Sequence, residues 1–166
     1  MKLKSMLFIC LILFSCKNLK NIEEKPYCPK GYECHTELIE NKYILIFEDT
    51  TKEIYIKLED NEGFHVVKYT FKHEGKTEIA DDTYLEAIYF QIPQDTKSLT
   101  LSDKELAKVK LIAQKSCFCR DAGYELVKIG HLNIEKQKDT YYIDIQFESS
   151  RNMEVSNLQT TVKLKG

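Results

Sequence analysis

Tyr141-Tyr142-Ile143-Asp144-Ile145-Gln146-Phe147-Glu148 alternates without a break. Tyr141, Ile143, Ile145 and Phe147 take every second position, and Tyr142, Asp144, Gln146 and Glu148 fill the places between. A period of two puts one set on each face of an extended strand, whereas a helix would scatter both sets around its axis. The segment is a strand with one buried and one wet face.

Working outward, the same pattern returns on both sides. Leu158, Thr160, Val162 and Leu164 close the chain, and Tyr124 to Ile129 and His131 to Glu135 read as strands meeting or bending at Gly130. Further upstream, Tyr43-Ile44-Leu45-Ile46-Phe47 is apolar on both faces, as a central strand is. Glu48-Asp49-Thr50-Thr51 turns it, and Glu53 to Glu59 follows with Ile54, Ile56 and Leu58 inward. Asp60-Asn61-Glu62-Gly63 is a hairpin signal, after which His65, Val67, Tyr69 and Phe71 share a face. The three runs predict a meander. Tyr84 to Ile92, stopped by Pro93, aims Ile88, Phe90 and Ile92 at the core.

Only Leu101 to Ala113 admits two periods. Ser102-Asp103-Lys104-Glu105 matches a capping box, with Leu106, Val109 and Ala113 on one helical face. Val109, Leu111 and Ala113 also alternate as a strand. The expectation is one helical turn near Ser102–Leu106 and then a strand into Cys117, so at most one short helix near 102–112. About eight short strands at this spacing predict a mainly β fold, an antiparallel sandwich or open barrel.

The 166 residues have room for a single domain, expected over 28–166. Ten Tyr and eight Phe against six Gly and three Pro favour strands. With 24 basic and 26 acidic residues there is no basic stripe to displace counterions, so nucleic acid is not an expected partner. Arg120 and Arg151 are the only arginines, which leaves few bidentate clamps for phosphate.

Lys2 and Lys4 precede the apolar run Met6 to Phe14. Nine apolar residues make about 14 Å of helix, roughly half of a ~30 Å hydrocarbon layer, so the run is too short to span. A basic flank, a short apolar centre and a small residue before a cut mark an export signal. Leu13-Phe14-Ser15-Cys16 resembles the bacterial lipoprotein lipobox, with Phe14 bulkier than usual at its position. The resemblance implies a signal peptide over 1–15, a diacylglyceryl group on the Cys16 thiol, and cleavage before Cys16. Two or more acyl chains at about 0.8 kcal/mol per buried CH₂ anchor such a chain stably. Residues 16–27 are then expected to be a lipidated, flexible tether. Since Lys17 is not the Asp that tends to retain lipoproteins in the inner membrane, the resemblance points to the outer membrane.

Export bears on the remaining sulfurs. Cys28, Cys34, Cys117 and Cys119 form an even set in an oxidising compartment and read as two disulfides. On a strand, Cys117 and Cys119 would have Cα atoms about 6.6 Å apart and Cβ atoms out of bonding range, so a direct bridge needs a turn at Phe118. The expectation is two bridges joining the 28–34 segment to the 117–119 segment, in either register. A closed loop of about 90 residues is worth roughly 4–5 kcal/mol in the chain-entropy model, against about 2.4 for the 28–34 loop. The alternative for these four cysteines is metal or redox handling, with His35 beside Cys34.

Chemistry is sparse elsewhere. No G-x-S-x-G, H-E-x-x-H, Walker loop or G-x-G-x-x-G occurs. His35, His65, His73 and His131 never share an element at ligand spacing. Glu59-Asp60-Asn61-Glu62 and Asp81-Asp82 lack the ordered oxygens of a Ca²⁺ loop and read as solvated turns. Phe118, Arg120 and Asp121, beside the C-x-C, form the candidate binding loop. The sequence therefore predicts a membrane-anchored envelope lipoprotein with a non-enzymatic binding or structural domain. It calls for no cofactor, and a protein or glycan is the expected partner.

Overall fold

Two strands run much longer than the sequence pattern implies. The computed structural model describes residues 28–73, 75 and 83–165; the leader, Cys16, the 16–27 segment and Asp81-Asp82 lie outside them. Strand β1 (Glu33–Glu48) pairs antiparallel with β2 (Ile54–His73) from Glu33↔Lys72 to Glu48↔Ile54. The turn between them is set by Asp49, whose Oδ1 accepts the Thr51 and Glu53 N–H groups at 2.8 and 3.0 Å. Its Oδ2 accepts the Tyr55 hydroxyl at 3.0 Å. These bonds, led by the Thr51 hydroxyl, hold the Asp49 carboxyl below its usual range.

The hairpin expected at Asp60–Gly63 is not there. Residues 54–60 and 65–72 both pair with β1, so the chain bends at 61–64 without reversing. Register jumps from Glu40↔His65 to Lys42↔Asp60, leaving Asn41 opposite four residues. Such a bulge sharpens the local twist. Asn41 absorbs it at φ 55°, a region Asn tolerates. The expected three-strand meander is thus one long, bent hairpin followed by β3 (Tyr84–Pro93). β1 is also an edge strand, not a central one.

The bend gives Tyr43–Phe47 its second apolar face. Ile44, Ile46, Ile56 and Leu58 of the outer half fold over the sheet, onto Val66, Ile112, Tyr89 and Leu126. The Ile44 N–H donates to Gln91 Oε1 at 3.0 Å, and Lys110 Nζ donates to the Ile44 carbonyl at 2.6 Å. Fully burying one such aliphatic side chain is worth roughly 1.5–3 kcal/mol.

The remaining strands are β4 (Ser98–Ser102), β5 (Ile112–Ser116), β6 (Gly123–Leu126), β7 (Gly130–Gln137), β8 (Thr140–Phe147) and β9 (Asn157–Lys163). Among the described residues they complete two antiparallel sheets, ordered β1-β2-β3-β5-β6 and β4-β7-β8-β9. The fold is mainly β as expected, and neither sheet closes into a barrel. The sheets pack face to face. Val67, Tyr69, Phe71, Ile88, Phe90 and Ile92 of one meet Leu132, Ile134, Ile143, Ile145, Phe147 and Leu158 of the other. The ambiguous segment forms a 3₁₀ helix, Asp103–Val109, followed by β5. Its capping box is half used: Glu105 accepts the Ser102 N–H, while the Ser102 hydroxyl pairs with His131 Nδ1 at 3.1 Å. Gly130 opens β7 at φ +152°, where a Cβ would stand 2.8 Å from Phe147 Cα.

Candidate functional site

The sulfurs pair locally. Cys28 joins Cys34 and Cys117 joins Cys119, correcting the expected long-range bridges. The register shows why. Cys34 lies opposite Phe71, Phe71 opposite Glu86, and Glu86 opposite Lys115. Three strand spacings of about 4.8 Å separate the two Cys segments, too far for a disulfide or a shared four-sulfur centre. The chain leaves β5 at Ser116 and bends through 117–119, so the turn that a direct C-x-C bridge requires is present. Its Cα atoms are 5.2 Å apart.

Between those sulfurs Phe118 is 92% exposed, the most solvent-open large apolar side chain among the described residues. Arg120 beside it is also exposed. The turn that carries them is braced from below. Lys115, buried at the end of β5, donates to Asp121 Oδ2 at 2.8 Å and to the Arg151 and Asn152 carbonyls at 2.9 and 3.0 Å. The Lys115 ammonium holds the Asp121 carboxyl below its ordinary range. Arg151 continues the brace from the 149–155 segment. Its Nη1 donates to the Asp121 and Ala122 carbonyls at 3.1 and 2.7 Å, and Nη2 and Nε share the Tyr124 carbonyl at 2.8 and 3.2 Å. Nη2 also meets Glu53 at 2.9 Å, tying the β1–β2 turn to the same point. Gly123 makes room for this, since a Cβ there would lie 2.9 Å from Arg151 Nη1.

Beside the brace lies an open groove of about 620 Å³ between the β1–β2 turn and β6, floored by Ile54, Tyr124, Leu126 and Ile129. Glu48, Glu125, Glu148, Lys52 and Lys128 rim it with mixed charge. Glu125 is already committed, accepting the Ser149 hydroxyl at 2.8 Å and the Ser150 N–H at 3.0 Å.

The sequence singled out Phe118, Arg120 and Asp121, and the turn keeps all three together. What sequence reasoning missed is that the molecule's two arginines do opposite things: Arg120 faces solvent and Arg151 is the hub beneath. The one signal was the scarcity of arginine itself. It also missed the cross-strand pair Ser102 and His131, a nucleophile-and-base combination in type. The pair is exposed, and among the described residues no carboxylate is hydrogen-bonded to the ring. His65 is buried, accepts the Asn41 N–H through Nδ1 at 3.4 Å, and its imidazole is held below its ordinary value by burial.

Among the described residues no helix is long and apolar enough to cross a membrane. No family model matches the chain, and comparison with curated proteins and with solved structures finds no match.

Proposed function

We propose that the chain is a lipoprotein of the cell envelope, anchored through lipid on Cys16 and most at home in the outer membrane. Its β domain is a non-enzymatic binding module that engages a protein partner through the Phe118 turn. The observation that supports this reading is the exposure of Phe118 on a turn closed by Cys117 and Cys119 and braced by Lys115 and Arg151. An apolar ring shown to water costs free energy, and burying it in a partner's pocket returns roughly 1.5–3 kcal/mol. Because the turn is already ordered, little entropy is lost on binding. Arg120 adds a cation beside the ring, a combination common at interface anchors.

Site-specific placement of a photo-crosslinking phenylalanine analogue at position 118 tests it in intact envelopes. The expected result is one discrete adduct, competed by excess unlabelled wild-type protein and at least tenfold less by Phe118→Ser. An adduct pattern that Phe118→Ser competes equally well contradicts the reading.

A second reading has one observation in its favour. The sulfurs of Cys117 and Cys119 and a carboxylate oxygen of Asp121 lie within 4.8 Å of one another. Once reduced, that trio offers two soft ligands and one hard one, a set that suits Zn²⁺. Thiol counting on the isolated protein separates the two readings: no free thiols supports the binding module, and two supports metal or redox handling.

A further inference from the structure

The outer face of the four-stranded sheet belongs to a different sheet from the strands that flank the Phe118 turn, and it has a different chemistry. Register lays four rows across it. Ser102, His131, Gln146 and Asn157 form one row, and Thr100, Asn133, Asp144 and Gln159 the next. Ser98, Glu135, Tyr142 and Thr161 form the third. Every position is polar, as a wet sheet face demands. Yet none of the chain's 24 lysines and arginines stands on these three rows; Lys163 stands on the fourth row of the same face, with Gln137 and Thr140, at the end of the sheet. A solvated face in a lysine-rich chain needs no such omission.

Cross-strand bonds fix the middle row. The Thr100 hydroxyl donates to Asn133 Oδ1 at 2.8 Å, and Gln159 Nε2 donates to Asp144 Oδ2 at 2.9 Å. Each bond uses one end of its amide or carboxylate. Asn133 Nδ2, Asp144 Oδ1 and Gln159 Oε1 make no hydrogen bond to a described residue, and they stand in fixed places. Beside them Tyr142 is 37% exposed, the row's one aromatic ring. A cleft of about 260 Å³ lies over it, lined by Asn133, Glu135, Tyr142, Asp144, Gln159 and Thr161.

We propose that this face binds an uncharged glycan, with Tyr142 as the stacking platform and Asn133, Asp144 and Gln159 as ligands for hydroxyls. A sugar ring presents an apolar C–H face, which packs on an aromatic ring, and an edge of hydroxyls that both donate and accept. Carboxylate and amide oxygens accept from those hydroxyls, and amide N–H groups donate to them. The charge of the face selects against the alternatives. Phosphorylated or sulfated chains require cations, and here they meet Glu135 and Asp144. The inference does not depend on Phe118, so either can fail alone.

Affinity electrophoresis of the full chain in detergent, through gels containing dextran, mannan or a soluble β-glucan, with dextran sulfate gels as the charged comparison, tests it. Retardation by at least one of the three is expected. Tyr142→Ala and Asp144→Ala each weaken it at least tenfold, Tyr142→Phe retains it, and Lys104→Ala leaves it unchanged. Circular dichroism of each variant checks the fold. No retardation by any of the three, retardation by dextran sulfate alone, or retardation that survives both alanine substitutions overturns the proposal. A loss with Tyr142→Phe as large as with alanine does so too.

Discussion

Glu86 and Lys115 are cross-strand partners on β3 and β5, and between them they hold both polarities of one loop. Lys115 binds the carbonyls of Arg151 and Asn152, while Glu86 accepts the Glu154 and Val155 N–H groups at 2.6 and 2.8 Å. The Tyr84 hydroxyl completes the Glu86 set, and burial followed by that bond drives the Tyr84 phenol upward. Opposite charges buried side by side are thus each satisfied by the same backbone segment, and the site's floor is fixed by it.

Removing Glu86 strands the backbone donors it accepts from. Glu86→Leu leaves the Glu154 and Val155 N–H groups without their acceptor, while Lys115 keeps Asp121 and its two carbonyls, and costs about 2–4 kcal/mol. Glu86→Gln keeps the shape but replaces one of the two acceptor oxygens with an amide donor, and costs about half of that. Denaturant midpoints of the two variants check the order; equal effects contradict it.

Arg151→Lys keeps one positive charge and discards the fork that reaches Asp121, Ala122 and Tyr124 together. A loss of about 2 kcal/mol is expected, with faster amide exchange confined to residues 121–124 and the β1–β2 turn. Uniformly faster exchange over both sheets would instead mark Arg151 as a general stabiliser.

Acid should loosen the fold through His65. Burial lowers its folded-state value from the ordinary 6.5, with Glu40 raising it and Lys136 lowering it further. The unfolded chain therefore takes up this proton first. Stability from this group is complete above about pH 6.5 and falls as pH drops below it, towards the folded value. The thermal midpoint of wild type is expected to fall more between pH 7 and pH 5.5 than that of His65→Gln. Parallel losses contradict the assignment.

Much of this arrangement was legible in the sequence. Strict alternation in 141–148 and 158–164 identified the strands and their inward faces, because each has one dry and one wet side. In 65–71 it identified the inward set, while Val66 on the other face is buried too, under the bent half of the hairpin. What alternation does not carry is which strands are neighbours. Asp60-Asn61-Glu62-Gly63 has the composition of a hairpin turn, but composition does not reveal that both flanks pair with β1. The same gap misled the sulfur pairing, since a bend at Phe118 leaves no periodic trace. Glu86 and Lys115 look like ordinary surface charges, and only the register shows them buried.

Tyr141 is fully buried, and its hydroxyl has no hydrogen-bond partner among the described residues. Burying a hydroxyl without a partner costs roughly 1–3 kcal/mol, so Tyr141→Phe is expected to leave stability unchanged or raise it by up to about 1 kcal/mol. A drop in the thermal midpoint would show that the hydroxyl is bonded after all.

Intact-mass and N-terminal peptide spectrometry of the protein from membranes tests the anchor on which the proposed function depends. The predicted species begins at Cys16 and carries the mass of a thioether-linked diacylglyceryl group. A chain that still begins at Met1, or an unacylated Cys16 peptide, would contradict it.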